Sequence, residues 1–134
     1  MRRVAGIAFA LLYLAADASA QGLPAPSTWQ NQRKSVMNVA AVNPTTGKVK
    51  GQYTNNAAGF ACQGAPFDLG GKVLGNKLTL IVVWKNATSN CDSITVWKGR
   101  LRGTKIRARW DLSYVDGNGN IRMLRGSDTF ERAQ

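Results

Sequence analysis

Uncharged hydrogen-bonding groups alternate with aromatic rings in two short stretches of this chain, Tyr53 with Asn55 and Ser93 with Thr95 and Trp97. Residues two apart share one face of an extended strand, so each stretch sets hydroxyls or amides beside a ring. Such a face is suited to gripping a small polar molecule, not to transforming it. The chain has no histidine, which removes the usual general base, the Ser-His-Asp and Cys-His arrangements and the commonest metal ligand. Carboxylate chemistry is not removed by that absence. However, Asp68, Asp92, Asp111, Asp116, Asp128 and Glu131 make no evident facing pair, and only Asp128 falls at an inward position. We therefore expect no catalytic residue, no metal site and no cofactor.

Cys62 and Cys91 are the only cysteines. The chain opens with Arg2 and Arg3, an apolar run from Val4 to Ala16 and a small-residue Ala18-Ser19-Ala20 stretch, the parts of a secretory signal. We expect residues 1–20 to be removed and residues 21–134 to form one domain, secreted or periplasmic, with no membrane span. An even cysteine count in an exported chain argues for a bridge, so Cys62 is expected to join Cys91. The formal charge is +11. Because Lys and Arg recur singly instead of in a block, we read a solvated basic surface and expect no specific nucleic-acid partner.

The elements that must position these residues are strands. No stretch beyond the leader keeps an apolar period of 3.6, whereas short alternating runs are separated by Gly, Asn or Pro. The runs are Thr28–Asn31, Ser35–Asn43, Lys48–Asn55, Phe67–Leu74, Lys77–Lys85, Ser93–Arg102, Lys105–Tyr114 and Ile121–Arg132. Pro44–Gly47, Gly75-Asn76, Gly103-Thr104 and Asp116–Asn120 read as tight turns, and the longer connections 56–66 and 86–92 each hold one cysteine. The pattern predicts an all-β, eight-stranded antiparallel up-and-down barrel, with a sandwich as the alternative.

Alternation then assigns the inward faces. In Lys105–Tyr114 these are Ile106, Ala108, Trp110 and Leu112; elsewhere Val49, Gly51, Tyr53 and Asn55 share a face, as do Leu78, Leu80, Val82 and Trp84. A plain core would exclude the hydroxyls and amides in this set, since each unpaired one costs about 1–3 kcal/mol when buried. Either the interior holds a ligand or ordered water, or these groups sit at strand ends and face solvent. The four tryptophans are likewise open to two readings, core filler or ligand wall.

Taken in order, Thr28-Trp29-Gln30-Asn31-Gln32 with Ser35, Gly51-Gln52-Tyr53, Val83-Trp84-Lys85-Asn86, Ser93-Ile94-Thr95-Val96-Trp97, Trp110-Asp111-Leu112 and Asp128-Thr129-Phe130 resemble the avidin and streptavidin family. Asn55 and the paired cysteines resemble most the dimeric rhizavidin-like branch. The resemblance implies a non-catalytic, biotin-binding barrel. It makes Asn31, Ser35 and Tyr53 donors to the ureido oxygen, and Asp128 and Asn55 acceptors for the ureido N–H groups. It places Thr95 near the ring sulfur, Ser93 near the valerate carboxylate, and Trp84, Trp97, Trp110 and Leu112 along the apolar wall. Trp29 and Phe130 correspond to packing positions. Tetrameric members add a tryptophan from a neighbouring subunit, and 118–125 contains none here, so a homodimer is expected ahead of a tetramer. The role implied is sequestering biotin; the alternative is a secreted barrel that binds another small ligand or inhibits a cell-envelope enzyme.

Overall fold

The computed structural model describes residues 22–134; the expected signal segment, 1–20, lies outside them. Eight strands follow one another: β1 (Ser27–Asn31), β2 (Val36–Val42), β3 (Val49–Thr54), β4 (Pro66–Leu74), β5 (Lys77–Lys85), β6 (Asn90–Arg102), β7 (Lys105–Val115) and β8 (Ile121–Arg132). Each pairs antiparallel with the next, and β1 pairs with β8 through Trp29 opposite Arg132 and Asn31 opposite Phe130. The sheet is thus a closed barrel with no free edge, and the sandwich alternative falls away.

Because the connections alternate between the two ends, 32–35, 55–65, 86–89 and 116–120 gather at one end, the mouth. The hairpins at 43–48, 75–76 and 103–104 gather at the other. Side-chain chemistry shapes these turns. Asn43 Oδ1 accepts from the N–H groups of Thr45 and Thr46, Asn86 Oδ1 from those of Thr88 and Ser89, and Asp116 Oδ1 from those of Asn118 and Asn120. The Asn120 N–H and the Arg122 guanidinium hold the Asp116 carboxyl below its ordinary range.

The sequence placed Cys91 in a loop, but β6 begins at Asn90, so this cysteine is on a strand. The Asn86 turn closes the loop early, and pairing resumes at Lys85 opposite Asn90 after a register shift beyond Val83. Inward alternation holds around the barrel. Trp29, Val39, Ile106 and Phe130 are almost wholly shielded and with Leu78 and Leu80 fill the end away from the mouth, while Met37, Phe67 and Val82, equally shielded, lie level with Tyr53 and Thr95. Burying each large apolar side chain contributes about 1.5–3 kcal/mol. The core is packed at one end and hollow at the other.

Candidate ligand-binding site

The hollow end is a cavity of about 430 Å³, within the range of small-molecule sites. Asn31, Ser35, Tyr53, Asn55, Trp84, Ser93, Thr95, Trp97, Trp110, Leu112 and Asp128 all line it. Every residue singled out in the sequence as a binding candidate is therefore brought to one space. Trp29 and Phe130 do not line it: the Trp29 indole is fully buried and donates to Ser27 Oγ at 2.8 Å, and Phe130 packs edge-on to Tyr53 with ring centres 6.3 Å apart.

One flank is polar and is built by β1, β3 and two turns. Asn31 Oδ1 accepts from the N–H groups of Arg33 and Ser35, each at 2.9 Å, which folds the 32–35 turn around it. That leaves Asn31 Nδ2 to donate toward Tyr53 Oη at 3.4 Å. Ser35 Oγ accepts from the Asn56 N–H at 3.0 Å and donates to Asn55 Oδ1 at 3.2 Å, while Asn55 Oδ1 also accepts from the Ala57 N–H. Burial, and next the negative charge of Asp128, push the Tyr53 phenol above its ordinary range; the Ser35 hydroxyl and the Arg33 guanidinium act in the other direction. The phenol is thus held neutral, and a neutral phenol is a hydrogen-bond donor.

The other flank is aromatic and comes from β5, β6 and β7. Trp84 Nε1 donates to Thr95 Oγ1 at 2.8 Å, and the Tyr53 ring lies 4.8 Å from Trp97 and 5.8 Å from Trp84. These contacts fix the Trp84 indole through its N–H and set the Tyr53 ring against both indoles. Ser93 and Leu112 line the same flank toward the mouth, half-buried.

Asp128 joins the two flanks. Its Oδ2 accepts from Trp97 Nε1 at 2.8 Å and its Oδ1 from Gln32 Nε2 at 3.0 Å. A carboxylate has about four lone-pair sites, so capacity remains for a ligand N–H. Among the described residues, no buried side-chain polar atom lacks a partner. The polar groups of the interior, which the sequence left divided between a ligand, water and solvent, are hydrogen-bonded to one another around the cavity.

Three residues of the site were not singled out in the sequence. Gln32 clamps β8 to the first turn, donating also to the Ser127 carbonyl and accepting from the Thr129 N–H, each at 3.0 Å. Phe60, in the β3–β4 connection, reaches the mouth and stands edge-on to Trp110 with ring centres 6.4 Å apart. Gly126, opposite Trp110 in the β7–β8 register, makes room for the indole: a Cβ there would lie 2.2 Å from Trp110 Cζ2. The glycine within the long run Ile121–Arg132 was the one available signal. Arg33 lines the mouth, its guanidinium 5.9 Å from the centre of the Trp110 ring.

The bridge closes the rim. Cys62 and Cys91 are disulfide-bonded across 29 residues, tying the β3–β4 connection to the start of β6. Among the described residues, no cluster of carboxylates and cysteines is placed to hold a metal ion.

Known proteins share this fold and much of this sequence. A family model described as "Avidin family" matches residues 19–133. The chain is 40% identical to Afifavidin of Afifella pfennigii, over 97% of this chain and 92% of that protein. Its fold is similar to that of the bradavidin2–biotin complex, at a TM-score of 0.75 and 38% identity over 84% of this chain and all of that one. It is also similar to the rhizavidin–biotin complex, at a TM-score of 0.73 and 39% identity over 80% of this chain and 98% of that one.

Proposed function

Because the chain belongs to the avidin family, whose members bind without catalysis, we propose that its cavity binds biotin non-covalently. The observation that carries this reading is Asp128. A buried carboxylate, oriented by Trp97 and Gln32, faces a donor cluster across a space walled by indoles. Biotin offers the complement: a ureido carbonyl flanked by two N–H groups, then a thioether ring and an aliphatic tail.

In this reading Asn31, Ser35 and Tyr53 donate to the ureido oxygen. The Ser35 hydroxyl turns from Asn55 toward the ligand, and the neutral Tyr53 phenol brings the strongest donor of the three. Asp128 accepts one ureido N–H in a charge-assisted hydrogen bond, and Asn55 takes the other. Donors so converged on a carbonyl resemble an oxyanion hole, but with no attacking nucleophile they contribute ground-state affinity. Thr95 lies by the sulfur and Ser93 by the carboxylate. Trp84, Trp97, Trp110 and Leu112 enclose ring and tail, each buried CH₂ contributing about 0.8 kcal/mol.

We further propose export, with residues 1–20 as the signal, and sequestration of biotin outside the cytoplasm. A homodimer is proposed ahead of a tetramer. Val83, Ile94, Val115, Ile121 and Met123 expose apolar side chains on the outside of β5 to β8 near the mouth, a strip suited to a second copy. Sedimentation of residues 21–134 should give twice the chain mass; a monomer at micromolar concentration would remove the dimer.

The deciding experiment is calorimetric titration of the disulfide-bonded chain with biotin and with an analogue lacking the ureido oxygen. One-per-chain binding that the analogue loses supports the assignment. Equal affinity for both would remove the donor cluster from recognition, and no heat with unchanged tryptophan fluorescence would overturn the reading.

A further inference from the structure

The lysines and arginines scattered through 98–109 are brought together by the hairpin at Gly103-Thr104. On the outer faces of β6 and β7 the register sets Lys98 opposite Arg109, Arg100 opposite Arg107, and Arg102 opposite Lys105. All six are exposed. Among the described residues only Lys105 has an ion-pair partner, Glu131 at 3.2 Å; the other ion pairs, Arg122 with Asp116 and Arg125 with Asp111, lie toward the mouth. Side chains directly opposite across antiparallel strands approach to about 5 Å, where like charges repel. Three such rows in succession oppose folding, and among the described residues the Lys105–Glu131 pair alone offsets them.

We propose that this face binds the phosphodiester backbone of nucleic acid without regard to sequence. Alternate residues along an antiparallel strand are about 6.8 Å apart, so the three rows set six cations on one compact face, and a DNA strand offers one phosphate charge per roughly 3.4 Å of axis for such a face to neutralise. On β8 the neighbours of Arg109 and Arg107 are Ser127 and Thr129, whose exposed hydroxyls are further donors to phosphate oxygens. No apolar side chain is exposed within these rows on β6 to β8, which disfavours a lipid surface that such a side chain would enter. No residue in the rows is positioned to read base edges, so the recognition is of charge and spacing alone. The face is on the outside of the barrel, separate from the cavity, and does not depend on the biotin reading.

Fluorescence anisotropy of labelled duplexes with the full disulfide-bonded chain tests this. Two duplexes of unrelated sequence should bind equally, with the logarithm of affinity falling against that of salt at a slope of roughly −5 if six phosphates are engaged. The pair Arg100→Glu and Arg107→Glu should weaken binding at least tenfold and shrink the slope by about 2. The pair Lys50→Glu and Lys85→Glu, which makes the same change in net charge elsewhere, should do much less. Circular dichroism melting checks folding, with Arg100→Gln and Arg107→Gln as the milder pair. Equal loss in both pairs would reduce the effect to net charge and overturn the site. Absent duplex binding, or binding to phosphatidylglycerol vesicles instead, would overturn the nucleic-acid assignment.

Discussion

The two flanks of the cavity are built by different means. The polar flank relies on turns: Ser35 and Asn55 lie outside strands, and Asn31 ends one, so its geometry rests on side-chain hydrogen bonds that fold 32–35 and 55–57. The aromatic flank relies on strand register, which places Trp97 directly opposite Trp110 and holds Trp84 to Thr95. A flank set by register moves only if the barrel moves. A flank set by turns can adjust to a ligand, and needs a separate device to keep it closed, which here is the disulfide.

The largest effect expected from that contrast comes from replacing Cys62 and Cys91 together by serine. Releasing a 29-residue loop should cost about 3–4 kcal/mol in the chain-entropy model, measured by denaturant unfolding. Biotin should leave faster while the near-ultraviolet tryptophan signal persists. Loss of that signal would show that both flanks depend on the bridge and would break the comparison. Next is Asp128→Ala, where the flanks meet. It strips a charged acceptor from the ligand and leaves Trp97 Nε1 unpartnered, so affinity should fall by about 3 kcal/mol, a hundredfold or more by calorimetry, with the fold kept. Unchanged affinity would remove Asp128 from the site.

A test confined to the aromatic flank is Gly126→Ala. Its new methyl would collide with the Trp110 ring. Overpacking of this kind costs about 1–3 kcal/mol, and here we expect it as weaker binding and a shifted Trp110 emission, with the polar network intact. The smallest effect belongs to Tyr53→Phe, which removes one donor and should weaken biotin by about 1 kcal/mol. It also carries a pH signature. The folded-state phenol is raised above its unfolded value, so its contribution to stability is complete below about pH 10 and is lost as pH climbs toward the folded value. Wild-type protein should therefore lose stability above that pH more steeply than Tyr53→Phe; identical alkaline slopes would mean the phenol is not buried in solution.

The same contrast governs what could be read from the sequence. Strand alternation is a local signal, so β5 and β8 agree with it to the residue, and the indoles, Tyr53, Thr95 and Asp128 all fall on the inner face it assigned. The turns are where reading stopped short. Gln32, Phe60 and the strand position of Cys91 depend on where a chain segment folds back, which alternation does not encode. Gly126 needed the β7–β8 register before its missing side chain had meaning. The basic face was hidden for the same reason: six cations that recur singly along the chain become a block only when a hairpin pairs them.

Closure of the barrel through β1 and β8 has a practical consequence. The Ala133 N–H donates to the Thr28 carbonyl at 2.8 Å, so the first and last described segments run side by side at the end away from the mouth. A short peptide joining them would yield a circular chain, and new ends opened at the exposed 116–120 hairpin would sit at the rim. A cargo fused beside Thr28 or Ala133 would hang from the floor of the cup, leaving its opening clear, whereas one attached at the rearranged ends would stand in the doorway and report on what passes through.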